Sequence, residues 1–320
     1  MIIRRPTYNF NLFFELTGIQ EMASVPVFLK LEGFNFSGSI KLKPARYMIE
    51  QLESRNLIQP GKNTIIESSS GNLAKALALV CLIKGYAFKA VLDVNVAPDV
   101  VGWLKAYGAD FVIIDKRDAN GGYLNSRIEY IKEAIGIDSS LVWLNQYANT
   151  DNPDSHFNTT AREIIEQFPD PDYIFVGTGT TGTIAGIAKY FKLYHPRTKL
   201  IGVDAVGSVT FGSKASKRFI PGIGTSRRPE ISPAIDDSAI DDVVWVDEQI
   251  GIQMCHRLLK QYGLFCGGST GSVIAGVLSY ADRFHADDTI IALSPDNGDK
   301  YLNTIYSMDW VNNTYGFNFS

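Results

Sequence analysis

Residues 177–183 read Gly-Thr-Gly-Thr-Thr-Gly-Thr and follow directly on the apolar run Tyr173–Val176. Glycines let a backbone come close to a ligand, threonine hydroxyls donate, and the first N–H groups of a following helix have no partner of their own. Together they make an anion site, above all one for a phosphate. The spacing of Gly177, Gly179 and Gly182 fits the dinucleotide fingerprint G-x-G-x-x-G, and Asp204 ends the next apolar run where a ribose-binding acid is expected. An NAD-dependent dehydrogenase is one chemistry this pattern serves. A single phosphate monoester is another.

Three further segments occupy corresponding places, each after an apolar run and ahead of a helix. Phe36-Ser37-Gly38-Ser39-Ile40-Lys41 puts an amine at a helix start. The helix dipole and burial would favour the neutral amine there, the form that attacks a carbonyl. A surface lysine explains the residue too, and Lys43 and Lys30 are near. Glu67-Ser68-Ser69-Ser70-Gly71-Asn72 offers hydroxyls and an amide at another helix start, either a carboxylate site or a capping cluster. Cys266-Gly267-Gly268-Ser269-Thr270-Gly271 is a third small-residue loop, with hydroxyls or simply with a turn that needs glycine. Jointly they supply one amine, one carboxylate site and one phosphate site.

These loops need elements to hold them. Val25–Leu31, Asn63–Ile66, Phe88–Asp93, Phe111–Ile114, Leu141–Leu144, Tyr173–Val176, Leu200–Val203, Val243–Val246 and Thr289–Leu293 read as buried strands. Helical periodicity occupies Pro44–Arg55, Leu73–Ile83, Val100–Tyr107, Leu124–Ala134, Phe157–Gln167, Thr183–Tyr194, Ile250–Gln261 and Ser272–Tyr280. Such alternation predicts an α/β protein of mainly parallel sheets flanked by helices, with ligands at the strands' C-terminal ends. Gly207–Asp242, with Pro221, Pro229 and Pro233, is the longest irregular stretch and reads as a functional loop or lid.

The 320 residues suffice for two domains. A net charge of −4 does not point to nucleic acid. No apolar window reaches membrane-spanning length. Met1–Pro6 lacks a signal-peptide pattern. Cys81, Cys255 and Cys266 show no metal spacing and read as buried reduced thiols of a cytoplasmic protein, and the four scattered histidines argue against a zinc site.

The order GSIK, ESSSGN, GTGTTGT, GGSTG resembles the fold-type II pyridoxal-phosphate enzymes, the cysteine synthase and cystathionine β-synthase family, from about Val25 to Tyr301. Asn145-Gln146-Tyr147, Asn152-Pro153 with His156, Pro221-Gly222-Ile223-Gly224 and Pro295-Asp296 agree with it. Gly121-Gly122-Tyr123-Leu124 with Arg127, Asn145–Asn149 and Val203–Val209 with Phe211-Gly212 are similar to a narrower branch. That branch joins O-phospho-L-serine to the amino group of L-glutamate and opens 2,3-diaminopropionate and siderophore biosynthesis.

The resemblance implies pyridoxal 5'-phosphate as cofactor and a tryptophan synthase β-like pair of domains. Residues 1–42 with 150–320 would form the larger, cofactor-binding one, and 43–149 a smaller, mobile substrate domain. Lys41 matches the lysine that carries the cofactor and moves the substrate's Cα proton. Asn72 matches the partner of the ring hydroxyl, and Gly179, Thr180, Thr181, Gly182 and Thr183 the phosphate cup. Ser269 matches the partner of the pyridine nitrogen; a serine leaves the ring largely neutral, which favours β-elimination. Ser69, Ser70, Gly71, Asn72 and Gln146 match the substrate-carboxylate site. Arg127 is the candidate for an anion, either a leaving phosphate or a glutamate carboxylate, against a solvated helix face. Tyr147 and Ser208 are candidates for the same pocket. Small amino-acid substrates and a homodimer are implied as partners, with no nucleic acid, membrane or metal. Tyr8–Leu16 and Tyr315–Phe319 would cover an interface or a neighbouring domain face.

Two residues depart from the family pattern. Leu42 stands where the family usually has Asp, and Leu73 where it usually has Thr. Leu73 removes a hydroxyl from the carboxylate loop, which argues against a housekeeping cysteine synthase using sulfide with O-acetyl- or O-phospho-serine. The dehydrogenase reading leaves three loops unexplained and places its fingerprint mid-chain.

Overall fold

The apolar runs become the strands of two sheets, each in its own compact unit. The computed structural model describes residues 6, 10–19, 25–118, 121–231 and 239–316. Met1–Arg5, Tyr8, Pro233 and Phe317–Phe319, named above, lie outside the described residues.

The smaller unit spans 35–155. Its strands are β3 (Thr64–Ser68), β4 (Ala87–Asp93), β5 (Asp110–Ile114) and β6 (Leu141–Trp143), all parallel in the order β5-β4-β3-β6. Helices α1 (Leu42–Ser54), α2 (Asn72–Lys84), α3 (Pro98–Ala106) and α4 (Leu124–Ile137) alternate with them. Helix α2 buries most of its length (Leu73, Ala74, Ala76 to Cys81) because it is apolar nearly all round, and Gly85 ends it in the left-handed conformation. Its core joins α1, α2 and the inner face of β3 and β4.

The larger unit comprises 10–34 and 156–320. Its sheet runs β1-β2-β10-β7-β8-β9, from β1 (Phe13–Leu16), β2 (Val27–Leu31), β7 (Tyr173–Gly177), β8 (Lys199–Ala205), β9 (Asp242–Val246) and β10 (Ile290–Ser294). All pairings are parallel except β1 with β2. Helix α9 (Gly268–Leu278) packs on β10, β7, β8 and β9, and buries ten consecutive residues from Gly268 to Val277. It also lies so close to α8 (Glu248–Tyr262) that a Cβ on Gly271 would stand 2.1 Å from the Gly251 carbonyl oxygen. Glycine there is a packing requirement, and it fixes the height of the loop that carries Ser269. Helix α7 (Gly182–Tyr194) follows β7, and α10 (Met308–Tyr315) lies near the chain end.

The structure departs from the sequence reading in particular places. Within the N-terminal apolar stretch, Phe13–Leu16 forms the edge strand β1 of the larger unit's sheet, a strand that the sequence reading does not include. The helix expected over Phe157–Gln167 is two, α5 (Asp151–Asn158) and α6 (Thr160–Gln167), broken at Thr159 with φ −124° and ψ −76°. The units change over at 34/35 and 155/156, where the sequence reading had 42/43 and 149/150. Lys41 therefore falls in the smaller unit, because Asn35 closes the loop onto it: its Oδ1 accepts the Ser37 N–H at 2.9 Å and its Nδ2 donates to the Ser39 carbonyl at 2.9 Å. Among the described residues no helix is long and apolar enough to cross a membrane, and no three His, Cys, Asp or Glu could hold a metal ion.

Candidate active site

In the larger unit, β7 ends at Gly177 and the cup follows. Thr178 is buried and fixed to β8: its N–H and hydroxyl both donate to the Val203 carbonyl, at 2.8 and 3.2 Å. Gly179 passes the loop at Gly222 so closely that a Cβ would stand 2.9 Å from the Gly222 oxygen. Thr181 adopts φ +66°, and its hydroxyl donates to the Thr180 carbonyl at 2.7 Å and does not cap the helix behind it. So the N-cap side chain does not take up the first N–H groups of α7. This is the donor set a phosphate takes, on the positive end of a 13-residue helix. The Thr183 hydroxyl has a partner already: His156 Nε2 lies 3.3 Å away, and His156 Nδ1 lies 2.9 Å from Thr160 Oγ1. His156 thus braces the cup, a role that its isolated place in the sequence did not signal.

Ser269, second residue of α9, is only 3 % exposed. Its neighbour Thr270 is satisfied by Ser294 at 3.0 Å. A serine hydroxyl at this helix start, beside one already satisfied, is a donor that a ring nitrogen could take. Cup and serine therefore fit pyridoxal phosphate. Asp204 is fully buried in β8, burial pushes its carboxyl up, and its Oδ1 accepts the Ala205 N–H at 2.9 Å, so it is not presented to a ribose. Ser208, also buried, spends its oxygen on the N–H groups of Thr225 (3.0 Å) and Thr210 (3.3 Å). It pins Thr210 and Thr225 together, and Glu248 accepts the N–H groups of Phe219 and Ile220 between them.

In the smaller unit, Lys41 is half-buried and immediately precedes α1. The two competing lysines are placed elsewhere. Lys43 is buried inside α1, and Lys30 lies in β2, ion-paired to Glu163 at 2.8 Å and Glu32 at 3.7 Å. The loop 68–72 both caps and remains open. The Ser69 hydroxyl accepts the Ala74 N–H at 3.2 Å, while Asn72 stands at the first position of α2. Gln146 is brought onto this loop: its Nε2 donates to the Ser68 carbonyl at 3.0 Å. Glu67 clasps the two loops together, accepting the N–H of Ser68 (2.8 Å), of Gln146 (3.3 Å) and of the Trp143 indole (3.3 Å). It is fully buried, and desolvation outweighs those donors to push its carboxyl up to about 7. Arg127 reaches the same loop: Nη1 donates to Ser70 Oγ at 2.9 Å and lies 3.2 Å from Asp93 Oδ2. Its side chain is 11 % exposed, so it is not a solvated face. Tyr147 is half-buried in the turn after β6.

An α/β chain of two mainly parallel-sheet units, one with a glycine- and threonine-rich cup at a helix start and a serine at another, the other with a helix-start lysine and a serine-rich loop, has the parts of a pyridoxal-phosphate enzyme. The chain belongs to the pyridoxal-phosphate dependent enzyme family, whose model matches residues 8–296. It is 42% identical over 298 residues to an N-(2-amino-2-carboxyethyl)-L-glutamate synthase of Ralstonia nicotianae, covering 93% of this chain and 87% of that one. A protein of the same name from Cupriavidus metallidurans is 41% identical over 293 residues, 90% of this chain and 85% of that one. Among solved structures, an O-ureido-L-serine synthase superposes with TM-score 0.81 at 29% identity, over 92% of this chain and 90% of that one. The O-acetylserine dependent cystathionine β-synthase of Helicobacter pylori does so with TM-score 0.85 at 27% identity, over 96% and 100%.

Proposed function

We propose that this enzyme performs a β-replacement on an activated L-serine, joining O-phospho-L-serine to the amino group of L-glutamate with release of phosphate. The observation that carries this reading over cysteine synthesis from O-acetyl-serine is Arg127, whose guanidinium stands on Ser70 in the loop 68–72. An extra cation at that loop serves a substrate with an extra anion; sulfide and an acetyl leaving group have no use for one. The names of the two relatives above 40% identity support the same choice.

Pyridoxal phosphate, when bound, supplies an electron-withdrawing ring that stabilises negative charge at the substrate's Cα. The N–H groups of Gly179 to Thr183 would hold its phosphate, Asn72 its ring hydroxyl and the Ser269 hydroxyl its ring nitrogen. Lys41 would carry it, and its freed Nζ would take the substrate's Cα proton as the Cβ–O bond breaks and phosphate leaves. The loop 69–72 and the Gln146 amide hold the substrate carboxylate. The glutamate nitrogen then forms its bond to Cβ and loses a proton, and Lys41 returns one to Cα. The enzyme would work as a cytoplasmic homodimer, in a route to 2,3-diaminopropionate.

Incubation with O-phospho-L-serine and either glutamate or sulfide tests this. Phosphate release with an amine adduct in the glutamate tube is the expected result; efficient cysteine formation instead, or pyruvate and ammonia whatever the acceptor, would overturn it. Lys41→Ala is expected to abolish turnover and the visible absorption that borohydride bleaches in the native enzyme, and full activity in that variant would remove Lys41 from its role.

A further inference from the structure

The contacts of Arg127 leave one side of its guanidinium unspent. We infer that Asp93 is a positioning residue which, through Ser70, locks Arg127 by Nη1 and turns the Nε–Nη2 edge toward a two-oxygen anion of the substrate pair. The inference deepens the glutamate-synthase reading and rests on it for the choice of substrates.

The geometry is a closed triangle. Arg127 Nη1 donates to Ser70 Oγ at 2.9 Å and pairs with Asp93 Oδ2 at 3.2 Å, and Ser70 Oγ donates to that same carboxylate oxygen at 3.1 Å. The Asp93 N–H returns a bond to Ser70 Oγ at 3.2 Å, and Asp93 Oδ1 is held by the Asn95 N–H at 2.9 Å. Every group in the triangle is thereby fixed. The serine's one proton goes to Asp93, so Ser70 enters the carboxylate site as an anchor for Arg127 and not as a donor to substrate. Both contacts to Arg127 fall on Nη1, and its Nε is buried with no partner among the described residues. A buried guanidinium nitrogen without an acceptor is costly, and the Nε–Nη2 edge is the side that takes carboxylate or phosphate with two parallel bonds. Asp93 ends β4, Ser70 follows the adjacent parallel strand β3, and Arg127 sits in the first turn of α4. That is the C-terminal edge of the sheet, where ligands of parallel sheets bind. Asp93 also offsets one charge of the pair, so the clamp stays a directed two-bond acceptor of anions and not a diffuse cationic patch.

Phosphate of the first substrate and side-chain carboxylate of the second share this chemistry, and Asp93→Asn separates them. It keeps size and shape while removing the charge that orients Nη1. The expected loss is about tenfold, the size of one misplaced charge-assisted bond. If it appears in kcat/KM for O-phospho-L-serine and not for O-acetyl-L-serine, the clamp holds the leaving phosphate. If it appears in KM for glutamate alone, the clamp holds the acceptor. Arg127→Lys, which has no two-donor edge, should reproduce the same pattern. Ser70→Ala, which keeps the ion pair, should show a weaker version. Unchanged constants for all three substrates in Asp93→Asn would overturn the inference. So would a uniform fall in kcat with a lowered unfolding midpoint. Calorimetric titration of the holoenzyme with inorganic phosphate and with glutarate keeps the two readings apart. If the native enzyme makes no adduct from glutamate, yet Asp93→Asn weakens binding of either anion about tenfold, the clamp stands and the substrate assignment falls.

Discussion

Glu67 sits where two loops of the substrate site meet, and its protonation is coupled to folding. Burial raises its carboxyl from 4.5 to about 7. Below 4.5 it is protonated in both folded and unfolded chains and costs nothing. Between 4.5 and 7 the unfolded chain ionises while the folded one does not, so stability falls as pH rises, by on the order of 3 kcal/mol at the upper end. Glu67→Gln has no such titration. Denaturation of native and variant enzyme from pH 4.5 to 8 should show the variant gaining relative to the native chain through this window and level above it. A difference independent of pH would refute the linkage. Neither Glu67 nor Asp93 was singled out in the sequence as a site residue, although Glu67 opens the serine loop itself. The reason is distance along the chain. Asp93 meets Ser70 across 23 residues and Arg127 meets it across 57, while Glu67 reaches Trp143 across 76. Loop composition drew attention to Lys41 and to the loops 177–183 and 67–72, because the chemistry proposed for them is local. It could not announce partners that only the β3–β4 and β3–β6 pairings bring together.

At the scale of elements, the legible parts were those buried on both faces. β3, β4, β7, β8 and β10 read as unbroken apolar runs since parallel strands covered by helices have no polar face to alternate with. The four residues of β1, an antiparallel edge, were hidden in an aromatic-rich end whose composition fits an interface equally well, and α10 was not read as a helix. The α5–α6 break was hidden because the hydrophobic period runs across it. What the elements do for the site is clearest at Gly179. Its missing Cβ lets the cup lie against the backbone of the Gly222 turn, so in Gly179→Ala the neighbour cannot yield as a flexible side chain would. The substitution should displace the N–H groups of α7 from the phosphate and weaken cofactor binding about tenfold or more, the cost of one or two charge-assisted bonds, with far-UV circular dichroism unchanged. Titration of the stripped enzyme with pyridoxal phosphate measures it, and an unaltered Kd would mean the cup is not made by this close approach.

Among the described residues the two largest hydrophobic cores share no residue. One gathers Leu16 to Val311 around α9 and the six-stranded sheet; the other gathers Leu42 to Leu144 around α2. Each unit thus holds enough buried apolar surface to fold as its own cooperative block, and a single unfolding free energy need not describe the chain. The residues that the proposed function assigns to the cofactor's phosphate and ring nitrogen lie wholly in the larger unit, so on that proposal cofactor binding, apart from a link to Lys41, would stabilise that block. With Lys41→Ala removing the link, pyridoxal phosphate at a hundred times its Kd should add about 2.7 kcal/mol to the larger unit alone. Tryptophans make the blocks separately visible, since Trp103 and Trp143 lie in the smaller unit and Trp245 and Trp310 in the larger. In Lys41→Ala carrying Trp103→Phe and Trp143→Phe, the urea transition seen by fluorescence should move to higher urea when cofactor is added. In Lys41→Ala carrying Trp245→Phe and Trp310→Phe, it should stay where it was. Equal shifts in both would show that the two cores melt as one, and that the cup's free energy is shared across the chain.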